Sequence, residues 1–288
     1  MFEVEPFELH SIVTGTVWLD GGAMFGVVPK VLWEKVCEVD ELNRIRLATR
    51  TLLAIDRKTP RVVLVDTGCG TKWHSKRAER YGVSYNPEAI PGTLDAAGLS
   101  ADDVTDVVVT HLHFDHNGGL TEWFTDPGDR TILRYPKANH WVHEAHWLHA
   151  QRPHPKDRAS FLPQDFAALE GADVLRLVEG DQPDGPFEGM TWLVSNGHTP
   201  CQLHPIFGSG ADRLLFVGDI VPTVAHLRLG WVMAYDMAPV TTIAEKQAIF
   251  RCCLEEGLTL AFPHDPEVGG VAIDGTVERP IVAKTLPL

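Results

Sequence analysis

Short apolar, β-branched runs recur along the chain, and many stop at an ionisable side chain. Residues 8–19 are rich in Val, Ile and Thr and end at Asp20-Gly21-Gly22, a pattern that predicts a strand followed by a turn. A short helix is predicted over 29–36, with Pro29 in the favourable first turn. Residues 46–55 and 61–65 read as a hairpin around a turn-rich link, and its second strand ends at Asp66-Thr67-Gly68. Helices are predicted over 71–81 and 91–97, the second stopped by Gly98. Residues 104–110 (VTDVVVT) form a nearly continuous β-branched run, as in a strand buried on both faces, and His111 comes next.

Further on, strand-like residues at 132–134 and 140–142 precede a helix near 144–151, which the prolines of 152–157 interrupt. The second half repeats the plan. Strands near 174–178 and 191–194 lead to a loop containing His198, and 214–217 ends at Gly218-Asp219. The clearest helix covers 241–256, with Thr241 or Thr242 as its cap and Gly257 as its stop. A last strand, 258–262, ends at Pro263-His264-Asp265. A metal-compatible side chain therefore follows an apolar strand five times, at Asp66, His111, His198, Asp219 and His264. LVDTG and LFVGD look like counterparts, and no linker separates the halves. The expectation is one domain over 1–288, with an internal repeat and two sheets covered by helices.

Composition narrows the function classes. The 288 residues carry 25 basic and 39 acidic side chains, a net charge of -14 that disfavours nucleic acid and anionic membranes as partners. No apolar run approaches the roughly 18 residues of a membrane span. MFEVEPFELH has acidic residues where a secretory leader would be basic, so a cytoplasmic location is expected. The five cysteines include an adjacent pair and no CxxC, which reads as reduced structural thiols.

The chemistry concentrates in Thr110-His111-Leu112-His113-Phe114-Asp115-His116-Asn117-Gly118-Gly119. On an extended segment His111 and His113 point the same way, and a following helical turn carries Asp115 and His116 to a neighbouring position. One ion cannot easily take four ligands from so short a stretch, so two adjacent ions are the natural outcome. Gly118 and Gly119 let the backbone leave the crowded site. Chance would produce HxHxDH in on the order of one in a few hundred such chains. His198, Asp219 and His264, each after its own strand, make chance a poor account.

HLHFDH, VDTG, GHTP, VGD and PHD, spread over 62–265, resemble the ordered motifs of the metallo-β-lactamase superfamily. The resemblance implies an α/β fold, a four-layer αβ/βα sandwich with an internal pseudo-two-fold repeat and the site at one edge of its sheets. It implies that His111, His113 and His198 hold one metal, that Asp115, His116 and His264 hold the other, and that Asp219 bridges them. Asp66 would orient a ligand rather than bind metal. Residues 20–30 and 219–236 are further similar to the branch containing N-acyl homoserine lactone lactonases and methyl parathion hydrolase-like enzymes.

Two divalent cations, Zn2+ by preference with Mn, Fe or Co as alternatives, would acidify a shared water to hydroxide for attack on a carbonyl or phosphoryl centre. Asp115 is suited to orient that hydroxide and to carry a proton to the leaving group. The expected substrates are small carboxyl esters, lactones such as acyl homoserine lactones first. Thioesters, as in glyoxalase II-like enzymes, and phosphotriesters or aryl esters are the alternatives; a metal-stabilised ligand-binding protein is the non-enzymatic one. Lactonases of the superfamily carry a tyrosine three residues after the bridging aspartate, where this chain has Pro222, so His226 or Tyr235 is expected to supply the missing donor. Met24, Phe25, Trp231 and Met233 are candidates for an apolar wall. His140, His143, His146 and His149 read as a partly exposed helix near the pocket mouth, and Cys201 as a buried, inert thiol. Oligomeric state is left open, a homodimer being one option.

Overall fold

The computed structural model describes residues 1–181 and 184–288. Its first sheet contains β1 (Phe2–Val4), β2 (Phe7–Asp20), β3 (Arg44–Asp56), β4 (Val62–Val65), β5 (Ser84–Tyr85), β6 (Asp106–Val108), β9 (Asn139–His143) and β10 (Leu175–Val178). They run in the order β1-β2-β3-β4-β6-β9-β10, with β5 also paired to β2. The second sheet runs in chain order through β11 (Met190–Ser195), β12 (Gln202–Ser209), β13 (Asp212–Phe216), β14 (Thr259–Ala261), β15 (Gly270–Thr276) and β16 (Arg279–Thr285). β7 (Thr121–Trp123) and β8 (Thr131–Leu133) form a separate ribbon.

Alternation along the strands creates the layers, because neighbours in a strand face opposite ways. Leu52, Ala54, Val63, Val65 and Val108 of the first sheet meet Leu203, Phe207, Leu214 and Phe216 of the second in one buried cluster. Their sequence neighbours Leu53, Val62, Leu64 and Val107 turn outward onto a cluster shared with Ile90 and Leu94 of α4 (Ala89–Ala96) and Trp147 of α6 (Glu144–Gln151). In the second sheet Leu215 and Leu260 turn outward onto Ile249 and Phe250 of α8 (Pro239–Glu256). The result is helix, sheet, sheet, helix. The expected repeat is visible in the pairing: β3 and β4 are antiparallel and β4 then pairs parallel with β6, while β12 and β13 are antiparallel and β13 pairs parallel with β14.

Several local expectations are corrected. The strand at 174–178 belongs to the first sheet, since the intervening helix returns the chain to pair Leu175 parallel with His140 of β9. Asp20 does not end in a plain turn: its carboxylate accepts from Ala23 N at 2.8 Å and caps α1 (Gly21–Phe25). The helix at 71–81 shortens to α3 (Ser75–Arg80), because Lys72 is drawn inward to the carbonyls of Gly118 and Thr121. α8 starts earlier than its threonines, with Ala238 as cap and Pro239 in the first turn, and stops as expected at Gly257 in the left-handed region (φ 75°). Between these lie α2 (Lys30–Trp33), α5 (Phe114–Asn117) and α7 (Pro163–Phe166). Among the described residues no helix is long and apolar enough to cross a membrane.

Candidate metal centre

The edge at which β4, β6, β13 and β14 all end gathers the ionisable residues. After β6 the chain bends at Thr110 before His111, and His113 sits at the N-cap of α5, a single turn that carries Asp115 and His116. Asn117-Gly118-Gly119 then packs against the loop after β4: a Cβ on Gly118 would overlap the Cys69 carbonyl, and one on Gly119 the Thr67 carbonyl. Only glycine allows this contact at either position. From the second half, His198 follows β11, Asp219 follows β13 and His264 follows β14. All seven side chains are nearly or fully buried.

Ligand-type atoms converge in three overlapping groups, each within 4.8 Å: His111, His113 and His198; His111, His116 and Asp219; Asp115, His116 and His264. Hydrogen bonds behind the rings decide which nitrogens face inward. His116 Nδ1 meets Asp66 Oδ2 at 2.8 Å, His264 Nδ1 meets the Ala48 carbonyl at 2.8 Å, and His198 Nδ1 meets Asp236 Oδ1 at 3.0 Å. Carbonyls and carboxylates only accept, so each Nδ1 carries the hydrogen and each Nε2 faces into the site, free to bind an ion once it carries no proton. Two of those nitrogens, on His116 and His264, lie 3.0 Å apart, and Asp219 Oδ1 lies 3.2 and 3.1 Å from them. His198 Nε2 is 3.4 Å from Asp219 Oδ2 and 3.2 Å from His113 Nδ1. His111 Nε2, His113 Nε2 and Asp219 Oδ1 make no hydrogen bond at all.

Ring nitrogens this close repel whether both carry lone pairs or both carry protons, and buried polar atoms without partners are costly. A cation at the common focus removes both penalties. Tetrahedral ligands about 2.0–2.1 Å from zinc stand about 3.3 Å from one another, close to the spacings found here. The donor set, imidazole nitrogen with carboxylate oxygen, suits a borderline divalent ion. Electrostatics agree. Burial, with the neighbouring rings, pushes His111 and His113 well below the ordinary histidine range, keeping them neutral. Burial opposes charge on Asp219, yet His264, His116 and His198 hold it well below the ordinary carboxylate range, and Asp219 in turn raises His116 and His264 against their burial, so that protons take the place a bound cation would fill.

Asp66 does what was expected of it. It takes Thr110 N at 2.9 Å, Thr110 Oγ1 at 2.8 Å and His116 Nδ1, from a left-handed backbone (φ 60°) that a non-glycine residue adopts only under constraint. Asp236 plays the matching part for His198, and sequence reasoning missed it because it follows no strand. His146 was also missed: its ring joins the two ligand loops, accepting from Leu112 N at 2.8 Å and donating to the Pro200 carbonyl at 2.8 Å. The histidine series is accordingly corrected. His140 and His143 lie in β9, His146 and His149 in α6, and all but His149 are buried.

A cavity of about 150 Å³ opens over His113, Asp115, His198, Asp219 and His264. Leu19, Met24, Leu47, Tyr81, Phe114, Met233, Tyr235, Lys156, Ala159 and Ser160 complete its lining. Met24, Met233 and Tyr235 are thus at the site as expected. Phe25 and Trp231 stand behind it, packed edge to face at 5.4 Å. His226 is also outside the lining. It is buried and stacked on Phe25, and its two nitrogens are taken by Thr223 Oγ1 at 2.7 Å and the Met24 carbonyl at 2.9 Å. Cys201 is half-buried rather than buried, in a left-handed backbone (φ 53°). A larger groove of about 690 Å³ beyond Phe25 and Leu47 touches none of the seven ligand candidates.

Comparison with known proteins gives the family and the fold. The N-acyl homoserine lactonase AttM of Agrobacterium fabrum is 25% identical over 178 residues, which span 60% of this chain and 63% of that relative. A probable metal-dependent hydrolase from Staphylococcus aureus superposes with a TM-score of 0.85 at 28% identity, over 99% of both chains. The dizinc quorum-quenching lactonase AidC, solved with its product, superposes with a TM-score of 0.75 at 17% identity, over 99% of this chain and 97% of its own. The family model of the metallo-beta-lactamase superfamily matches residues 55–266, and the chain belongs to that superfamily.

Proposed function

We propose that the protein is a binuclear-metal hydrolase of small carboxyl esters, with lactones as its first substrate class. The observation that carries this reading is the convergence of His111, His113, His198, Asp115, His116 and His264 in overlapping groups, with Asp219 within 3.4 Å of His116, His198 and His264. Two divalent cations, zinc by preference and Mn, Fe or Co as alternatives, would supply Lewis acidity and an acidified water when bound.

The chain's own groups do the rest. Asp219 lies within reach of both ligand sets and would set their separation. Asp115, 9% exposed, is at the cavity floor, where its carboxylate can orient the attacking water and then pass a proton to the leaving alkoxide. Tyr235 supplies a phenol at the wall in place of the one absent at Pro222. Burial, reinforced by Asp115 and Asp20, raises its pKa, so it stays a neutral donor to the carbonyl oxygen. His226, with both nitrogens already engaged, is a poorer donor. Tyr235→Phe should lower kcat about ten- to a hundredfold with metal content unchanged. His226→Ala should act first on the thermal midpoint, measured by calorimetry. Unchanged kcat in the tyrosine variant removes that residue from the mechanism.

The cavity is smaller than the roughly 300–1,000 Å³ of ordinary ligand sites, and its lining is mostly apolar, which favours a small ring or a short acyl group. The lactonase likeness of AttM supports lactones as the first trial. The test is elemental analysis of the purified protein together with a panel of lactones, esters, thioesters and phosphotriesters. About two metals per chain, with lactone turnover that chelation abolishes and zinc restores, is the expected result. Turnover confined to thioesters or phosphotriesters moves the substrate class, and failure to bind metal after reconstitution ends the hydrolase reading.

A further inference from the structure

Two chain segments face each other across the mouth of the cavity. One, residues 152–161, leaves α6 and contributes Lys156, Ala159 and Ser160 to the lining. The other, residues 228–238, contributes Met233 and Tyr235, and its Asp236 holds the His198 ring. Among the described residues every hydrogen bond between these two segments is made by one group, the ammonium of Lys156. It donates to the carbonyls of Ala234 at 2.8 Å, Tyr235 at 2.9 Å and Asp236 at 2.7 Å.

Three N–H bonds on three consecutive carbonyls use the full donor capacity of an ammonium. Lys156 therefore has no donor left for a substrate, although it lines the site. Each segment also has a second attachment to the body of the protein. Asp157 beside Lys156 takes His149 Nε2 at 2.7 Å, and the buried Lys246 of α8 donates to the carbonyls of Arg228 at 2.9 Å and Trp231 at 2.8 Å. Residues 234–238 are held without Lys156, by Ala234 N on the Ala23 carbonyl, Met237 N on the His198 carbonyl and Ala238 N on the Gly197 carbonyl, so the Lys156 side chain ties residues 152–161 to a fixed frame. Its stem is exposed while its head reaches the part-buried Asp236 carbonyl, so the crossing lies at the solvent rim.

We propose that Lys156 is a specificity-determining strap: by tying residues 152–161 to 234–236 it holds the mouth narrow and makes the site select short acyl or alkyl groups over long ones. The proposal rests on the hydrolase reading for its substrate, but the strap itself is a physical object that can be measured without turnover. An arginine would not substitute fully, because its planar fork does not direct three hydrogens at carbonyls converging on one point.

The experiment compares the metal-loaded protein with Lys156→Met, which keeps the stem and removes the ammonium. Amide hydrogen exchange is followed in both segments, and binding of n-alkyl hydroxamates with two, six and ten carbons is measured by calorimetry. The expected result is exchange about tenfold faster in 152–161 only, with the preference for the shortest over the longest hydroxamate falling about tenfold. Metal content and thermal midpoint should stay within error. Unchanged exchange overturns the strap, and faster exchange with an unchanged length preference overturns its role in selection. If no ester of the panel is hydrolysed, the hydrolase reading fails by itself, while exchange and hydroxamate binding still decide the strap.

Discussion

Asp219→Ala should abolish hydrolysis of the best ester substrate, lowering kcat/KM by about 10³-fold or more, or about 4 kcal/mol of transition-state stabilisation. The reason is positional. Asp219 is the one carboxylate within 3.4 Å of His116, His264 and His198, which otherwise belong to two different ligand groups. Without it, three imidazole nitrogens share a buried space with nothing between the two groups. Metal content should fall from about two to about one per chain, read by elemental analysis on the same preparation as the kinetics. Retention of both ions with activity within tenfold of the parent would show that Asp219 does not bridge.

Asp66→Asn is the second large effect, and it changes a single atom of a residue that touches no substrate. The native carboxylate accepts from Thr110 N, Thr110 Oγ1 and His116 Nδ1. An asparagine can keep its oxygen on Thr110 N, but its amide then directs hydrogens at His116 Nδ1. The ring must lose its Nδ1 hydrogen and protonate Nε2, the atom that faces Asp219 and His264. The same tautomer inversion disables a catalytic triad when its aspartate becomes asparagine. Metal affinity should fall about 10–100-fold and turnover at least as much, with excess zinc restoring part of the activity. Titration against a chromophoric chelator measures the first. Affinity equal to the parent's would mean that the ring is held by its packing alone.

The sites at strand ends were legible because two periodicities meet there. A β-branched run announces a buried strand, and a ligand-type side chain immediately after it has little other reason to be there; Asp66, His111, His198, Asp219 and His264 were all visible this way. The layers were legible for the same reason, since Leu52 and Leu53, or Phe216 and Leu215, must face opposite sides of a sheet. Asp236, Lys156 and His146 were not. Each acts through a turn or a ring whose partner lies 34 to 80 residues away, namely His198, the 234–236 carbonyls, and Leu112 with Pro200. No local pattern encodes such distances. The placement of 174–178 failed likewise: its apolar pattern suits either sheet, and only the crossover through α6 decides between them.

Four of the seven ligand candidates come from the strand and turn after β6, and three from loops of the second sheet. Bound ions would therefore act as a clasp across the rim of the sandwich, joining halves that are otherwise held by an apolar interior and a few hydrogen bonds, such as His264 Nδ1 on the Ala48 carbonyl. Scarcity of metal would then reach beyond catalysis to survival: the emptied rim should be the first region to open, and a protease should cut there while the inter-sheet core is still intact. The lifetime of the chain would become a gauge of the metal supply around it.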